Sequence, residues 1–258
     1  MSGCFTYGFN NLSITNYIFN LKVKQLSVSY IRIAIIYSLL LKSPSLSITQ
    51  VKEKYDLDGE GVSIAILDTG LDMRNREISF KKGKGFTSGN NGIQDTDGHG
   101  TFITSLISSS KFGLAPKADI YVAKVLESSN KGEYIDIVSG IEWAIKEDVD
   151  IILMSLGGKK YSKNLEIAIE KASNKGIVIV SAIGNDGVSV KDTVNYPAKF
   201  NQVLGVGAIN EDNRRWFKSS RGVHIDVMTQ GENIEGYSLN GKTQKSSGTS
   251  VAAAMPIN

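Results

Sequence analysis

The stretch that decides the fold is GVSIAILDTG, residues 61–70. Gly61–Leu67 is a short apolar run closed by Gly59 on one side and by Asp68-Thr69-Gly70 on the other, the pattern of a buried strand. A strand that is apolar on both faces belongs to a parallel sheet covered by helices on both sides. This one ends in a carboxylate, Asp68, so the question is whether that residue only turns the chain or does chemistry.

Working outward, the same grammar repeats. Asp119–Val125, Asp150–Ser155, Gly176–Ala182 and Gln202–Ala208 read as further buried strands. Between them, Tyr134–Glu147 places Ile137, Val138, Ile141, Ala144 and Ile145 on one helical face, and Asn164–Asn174 does so with Leu165, Ala168, Ile169 and Ala172. Strands alternating with helices of this length predict βαβ units, hence a three-layer α/β domain with a mostly parallel central sheet. One domain is expected over residues 46–258. In such sheets, ligands and catalytic groups gather at the carboxyl ends of the strands, where Asp68, Ser155 and Gly184-Asn185 stand.

Residues 1–45 are a different text. They hold the only cysteine, Cys4, so no intrachain disulfide can form, and the nine-residue apolar run Ile33–Leu41 follows Arg32. Nine residues are too few to cross a bilayer, which takes about 20. The run suits a signal-peptide core but starts far from Met1. An internal signal, a membrane-touching leader and an extension packed on the domain all stay open.

The net charge of +3 is unevenly spread. Lys22, Lys24, Arg32, Lys42 and Lys52 stand in a segment without Asp or Glu, which leaves the rest of the chain close to neutral. No basic stripe with interleaved aromatics exists, so nucleic acid is not an expected partner.

Three short segments carry candidate chemistry. They are Asp68 at the end of its strand, His99 within Asp97-Gly98-His99-Gly100-Thr101, and Ser250 within Ser247-Gly248-Thr249-Ser250. Acyl transfer by serine needs a hydroxyl, a base to take its proton and a carboxylate to orient the base. Each residue alone has a plainer reading: a turn-forming aspartate, a core histidine, an N-capping serine. His224, in the alternating stretch Gly222–Val227, reads as a half-buried strand residue rather than a rival base.

Taken together, the segments resemble the subtilisin-like serine proteases, the subtilase family. The resemblance rests on Ala65–Asp72, on Asp97–Thr101 followed by Gly113-Leu114-Ala115-Pro116, on Ala123–Leu126 and on Gly140–Ala144, and covers roughly residues 48–254. The order Asp, His, Ser is also that family's order. The resemblance implies a serine endopeptidase with Asp68, His99 and Ser250 as catalytic groups and Asn185 as an oxyanion donor. It implies that Ser155, Leu156, Gly157 and Gly184 pair with a peptide substrate, with Lys124, Val125 and Leu126 forming the opposite wall. Tyr196-Pro197-Ala198 would shape a pocket loop from behind. No cofactor is expected. Structural Ca2+ belongs to many family members, but no loop here offers a numbered set of ligands. The resemblance also points to a monomer acting on protein or peptide, and to secretion, although intracellular members exist.

Departures cluster at the C-terminal end. Val251–Met255 replaces the family's usual Met-Ala-x-Pro-His, Met228-Thr229-Gln230 precedes Gly231 in an unusual form, and Pro256 follows Ser250 by six residues. A proline inside a helix costs about 3 kcal/mol, so the expectation is a protease cut short after its nucleophile. An inactive remnant or a peptide-binding pseudoprotease is the alternative.

Overall fold

The computed structural model describes residues 57–255 apart from 90, 91, 129, 130 and 190. The expectations for residues 1–45, for Cys4, for the apolar run Ile33–Leu41 and for Pro256 lie outside the described residues.

Strand β1 (Ser63–Asp68) sits inside the sheet, third from one edge, and is buried along almost its whole length. The chain continues through β2 (Lys82–Gly85), helix α1 (His99–Ser108) and β3 (Asp119–Lys124), then α2 (Tyr134–Lys146) and β4 (Ile151–Met154). Next come α3 (Lys163–Asn174), β5 (Val178–Ala182), β6 (Val203–Ile209) and β7 (Val227–Gln230). A hairpin of β8 (Ile234–Tyr237) and β9 (Thr243–Ser246) leads into the short helix α4 (Thr249–Ala254).

The first seven strands form one sheet in the order β2-β3-β1-β4-β5-β6-β7, with every neighbouring pair parallel. The chain builds outward from β1 in both directions, and β1 with β3 and β4 frames the switch where open α/β sheets bind ligands. Register sets Asp68 beside Lys124, and Leu67 beside both Ala123 and Met154. The functional strand ends therefore finish at one level.

Alternation along β1 divides the core. Ala65 and Leu67 pack with Ile137, Ile141 and Ala144 of α2 and with Leu165, Ala168 and Ile169 of α3. Ile64 and Ile66, both almost fully buried, face the opposite side, where α1 and α4 touch each other. Helices thus cover both faces, as the apolar strands require. On the α4 side the fit is tight. Ala252, Ala253 and Ala254 are wholly buried, and a Cβ on Gly231 would come within 2.9 Å of Ala252.

The strand expected across Gly222–Val227 begins only at Val227. Asp226 is held next to the sheet instead: its N–H donates to the Gly205 carbonyl and its Oδ2 accepts the Gly205 N–H. Helix α1 starts at His99 itself, so the glycine-flanked histidine opens the helix.

Candidate active site

Asp68 and His99 are brought together by glycines that let backbone meet backbone. Gly98, at φ 103, turns the chain into α1 in the left-handed region that glycine tolerates. At Gly100 a Cβ would fall 2.4 Å from the Gly70 carbonyl oxygen, so only glycine lets the helix start press on the Asp68-Thr69-Gly70 turn. The Gly100 N–H donates to Thr69 Oγ1 at 2.8 Å, fastening the two segments.

Across that junction His99 Nδ1 lies 2.7 Å from Asp68 Oδ1. A carboxylate only accepts, so Nδ1 carries the proton and Nε2 presents its lone pair outward. Asp68 Oδ1 also accepts the Thr69 N–H at 2.7 Å, while the buried Oδ2 has no partner among the described residues. Burial alone would pull His99 below its usual range. The Asp68 charge and hydrogen bond, reinforced by Asp97 and Asp95, outweigh it and hold His99 above that range.

A second acidic layer braces this one. Asp95 accepts from the N–H groups of Asp97, Gly98 and Thr101 and from the Thr101 hydroxyl. Burial works against its charge, but those four donors prevail and keep its carboxyl low. Thr101 Oγ1 in turn accepts the Asp72 N–H. Asp72 is bound by the Arg74 guanidinium, which with further N–H donors holds it at about 2.

Ser250 is the second residue of α4, with Gly248 at the N-cap, so it is not the capping serine. Its hydroxyl donates to the Ser155 carbonyl at 2.9 Å, and the Ser155 hydroxyl donates back to the Ser250 carbonyl at 2.9 Å. Among the described residues it makes no hydrogen bond to His99. The Ser250 N–H lies in the first helical turn, where no intrahelical acceptor exists.

Asn185 is held by Thr249, whose N–H and hydroxyl both donate to Asn185 Oδ1 at 3.0 Å. A backbone N–H cannot accept, so Oδ1 is fixed inward and Nδ2 is turned away, free to donate. Thr249 Oγ1 accepts the Gly184 N–H at 3.1 Å, tying the Gly184-Asn185 turn to the residue before Ser250.

The other expected residues divide. Gly157 is exposed, and its N–H and carbonyl make no hydrogen bond among the described residues, so it offers a free edge. Gly158 pairs with Tyr196 in both directions, at 2.8 and 2.9 Å. The side chains of Lys124, Val125, Leu126 and Leu156 lie in the core, so whatever these residues offer a peptide would come from their main chain. Lys124 is 1 % exposed, and its Nζ donates to the carbonyls of Thr69 and Leu126 at 2.7 and 3.1 Å. It clamps the turn that carries Asp68.

Sequence reasoning missed Thr249 as the residue that fixes Asn185, and Asn195 beneath Gly157 and Gly184. It also missed an open cavity of about 680 Å³ beside Asn185 and Ser247, lined by Val188, Phe217, Lys218 and Glu232. The exposed apolar Phe217 was its one readable signal. Among the described residues no cluster of three or more His, Cys, Asp or Glu could hold a metal ion.

With this geometry in hand, comparison with known proteins is direct. The model of the Subtilase family matches residues 59–255. Subtilisin E of Bacillus subtilis (strain 168) is 36% identical over 240 residues, covering 89% of this chain and 63% of that protein. Subtilisin of Bacillus pumilus is 38% identical over 201 residues, covering 75% of this chain and 73% of that protein. Among solved structures, a cold adapted subtilisin-like serine proteinase superposes with a TM-score of 0.71 at 28% identity, over 78% of this chain and 74% of that one. The chain spans about 63% of the length of Subtilisin E and of the similarly matching Subtilisin J.

Proposed function

Because the chain belongs to the subtilase family, we propose that it is a serine endopeptidase that cleaves peptide bonds through an acyl-enzyme at Ser250. The observation that carries this reading is the 2.7 Å contact between His99 Nδ1 and Asp68 Oδ1 at the carboxyl end of β1. It fixes the tautomer in which Nε2 can take a proton. Ser250 rests on the Ser155 carbonyl, and the reaction requires its hydroxyl to leave that carbonyl for His99.

The steps follow from these groups. An extended peptide lies along the free edge at Gly157, gaining main-chain hydrogen bonds. Ser250 Oγ attacks the scissile carbonyl carbon while its proton passes to His99 Nε2, and Asp68 stabilises the imidazolium. The carbonyl oxygen becomes negative and is met by Asn185 Nδ2 and the Ser250 N–H. As the C–N bond breaks, His99 returns the proton to the departing amine. The leaving segment occupies the cavity beside Asn185 and Ser247. Water then attacks the acyl carbon by the same route in reverse and frees Ser250.

Losing one such oxyanion donor lowers kcat about 10²–10³-fold, a magnitude taken from subtilisin. The test is hydrolysis of a quenched-fluorescence peptide library by the chain and by its Ser250→Ala, His99→Ala and Asn185→Leu variants. Turnover that Ser250→Ala and His99→Ala abolish and Asn185→Leu cuts supports the reading. Turnover unchanged in Ser250→Ala refutes it.

A further inference from the structure

The sheet face that carries Asp68 holds a second buried charge. Asp68 and Lys124 are register partners on neighbouring parallel strands, so their side chains leave the sheet on the same side. That side is opposite to Leu67 and Ala123, which pack on α2 and α3. Both Asp68 and Lys124 are buried, yet they do not touch. Among the described residues Lys124 forms no ion pair, and its Nζ bonds are to the carbonyls of Thr69 and Leu126. Asp68 in turn keeps one buried oxygen, Oδ2, without a partner among those residues.

Fastening the turn does not explain why this residue is charged. The Asp68 carbonyl already accepts the N–H groups of Val125 and Leu126, at 2.9 and 3.2 Å, and a neutral amide could serve two further carbonyls. Removing an ammonium from water with no anion in contact is costly. The charge itself therefore asks for a use, and the groups on this face show which. Helix α1 brings His99 and no other acid or base, and α4 brings none. The loop before α1 brings Asp95 and Asp97, while Asp72 is already bound to Arg74. Strand β2 sets only Gly85 beside Lys124. Beyond Leu126, Glu127 is half-buried and accepts the Gly89 N–H at 3.2 Å. Lys124 is thus a cation set against the carboxylates that surround His99.

We propose that Lys124 is a positioning residue for the proton transfer: its buried charge beside Asp68 offsets the carboxylates around His99, so that the imidazole stays neutral and able to take the Ser250 proton down to a lower pH. This rests on the peptidase reading, in which His99 is the base. Burial lowers His99, and Asp68, Asp97 and Asp95 lift it above its usual range. A neighbouring cation disfavours the imidazolium and so works with burial against those carboxylates. Removing it should lift His99 further.

The experiment reads His99 directly. The chain has two histidines, His99 and His224, and their imidazole signals are followed against pH by NMR. The chain used is Ser250→Ala, which cannot digest itself, alone and with Lys124→Met, Lys124→Gln or Lys124→Arg. The His99 midpoint should rise by about 0.5–1 pH unit in the Met and Gln variants and stay with the parent in Lys124→Arg. His224, next to β7 at the far edge of the sheet, should not move. Lys124→Gln keeps an N–H donor for the two carbonyls without the charge, so it carries the comparison where Lys124→Met does not fold. An unmoved His99 in either folded neutral variant overturns the proposal and leaves the lysine a fastening. An equal rise in Lys124→Arg, or a matching shift of His224, overturns it too, because shape and not charge has then changed. Peptide hydrolysis by the parent chain judges the other reading. If nothing is cleaved but His99 moves as described, the peptidase reading falls and the coupling stands; cleavage with His99 unmoved gives the reverse. If neither appears, both fall.

Discussion

Gly100→Ala is the substitution that most sharply tests how the Asp68–His99 pair is built. On the surface of a helix this change would be favourable by about 1 kcal/mol. Here the new methyl would sit 2.4 Å from the Gly70 oxygen, 2.9 Å from the Gly70 nitrogen and 3.1 Å from the Thr69 nitrogen. All three are backbone atoms of the turn that carries Asp68, and none can swing aside as a side chain would. To reach ordinary contact the start of α1 must lift by about 1 Å, an overpacking cost of about 1–3 kcal/mol. That shift breaks the bond from Gly100 N–H to Thr69 Oγ1, now 2.8 Å. It also stretches the His99–Asp68 contact from 2.7 Å to beyond hydrogen-bond range. Net stability should fall by about 1–2 kcal/mol, which lowers Tm by a few degrees for a domain of this size. Misplacing a catalytic pair by about 1 Å costs about 10²-fold in rate. The assay is kcat on a saturating peptide well below Tm, alongside thermal unfolding of the same preparation. A variant that keeps its rate within twofold of the parent would refute the reasoning, whatever its Tm.

Three further outcomes follow from the same geometry. Because Asp68 and its neighbours hold His99 above its usual value near 6.5, kcat/KM should rise with pH to a midpoint above that value as the imidazole loses its proton. Asp68→Asn should move the midpoint down and cut kcat about 10⁴-fold; an unmoved midpoint counts against the pairing. Asp72, held at about 2 by Arg74 and its N–H donors, stabilises the fold fully above its ordinary value and loses that contribution as pH falls from about 4 to about 2. The loss is about 2 kcal/mol, and urea midpoints of the parent should fall over that interval while those of Asp72→Asn stay flatter. Lys124→Met should destabilise the chain by about 2 kcal/mol or more, because it strands the buried carbonyls of Thr69 and Leu126. Equal urea midpoints for variant and parent would show that the clamp is dispensable.

What could be read in the sequence was whatever had a period or a chemistry. The apolar runs within β1, β4 and β5 announce a covered parallel sheet, and Asp68, His99 and Ser250 announce themselves as residue types in glycine-rich turns. Strand β2 is spelled Lys-Gly-Lys-Gly and carries no such signal. It joins the edge because Gly83 and Gly85 let it lie against Ile93 and the Gly92 carbonyl, contacts a linear pattern does not encode. Gly222–Val227 alternates like a strand, yet Val223 is 87 % exposed and pairing waits until Val227, since Asp226 spends its carboxylate on Gly205. Lys124 was legible as a neighbour of the site but not in its direction. A lysine in an apolar strand reads as a contact surface until two buried carbonyls are found at its tip. Thr249 was silent for a related reason: its hold on Asn185 joins residues distant in sequence that only the folded sheet brings near.

The most direct test of the central claim is to treat the purified chain with a fluorophosphonate probe and locate the adduct by mass spectrometry. A nucleophile activated by the Asp68–His99 pair predicts a single adduct on Ser250 that disappears in His99→Ala. A folded chain that takes no label, or takes equal label with His99 removed, would contradict the account.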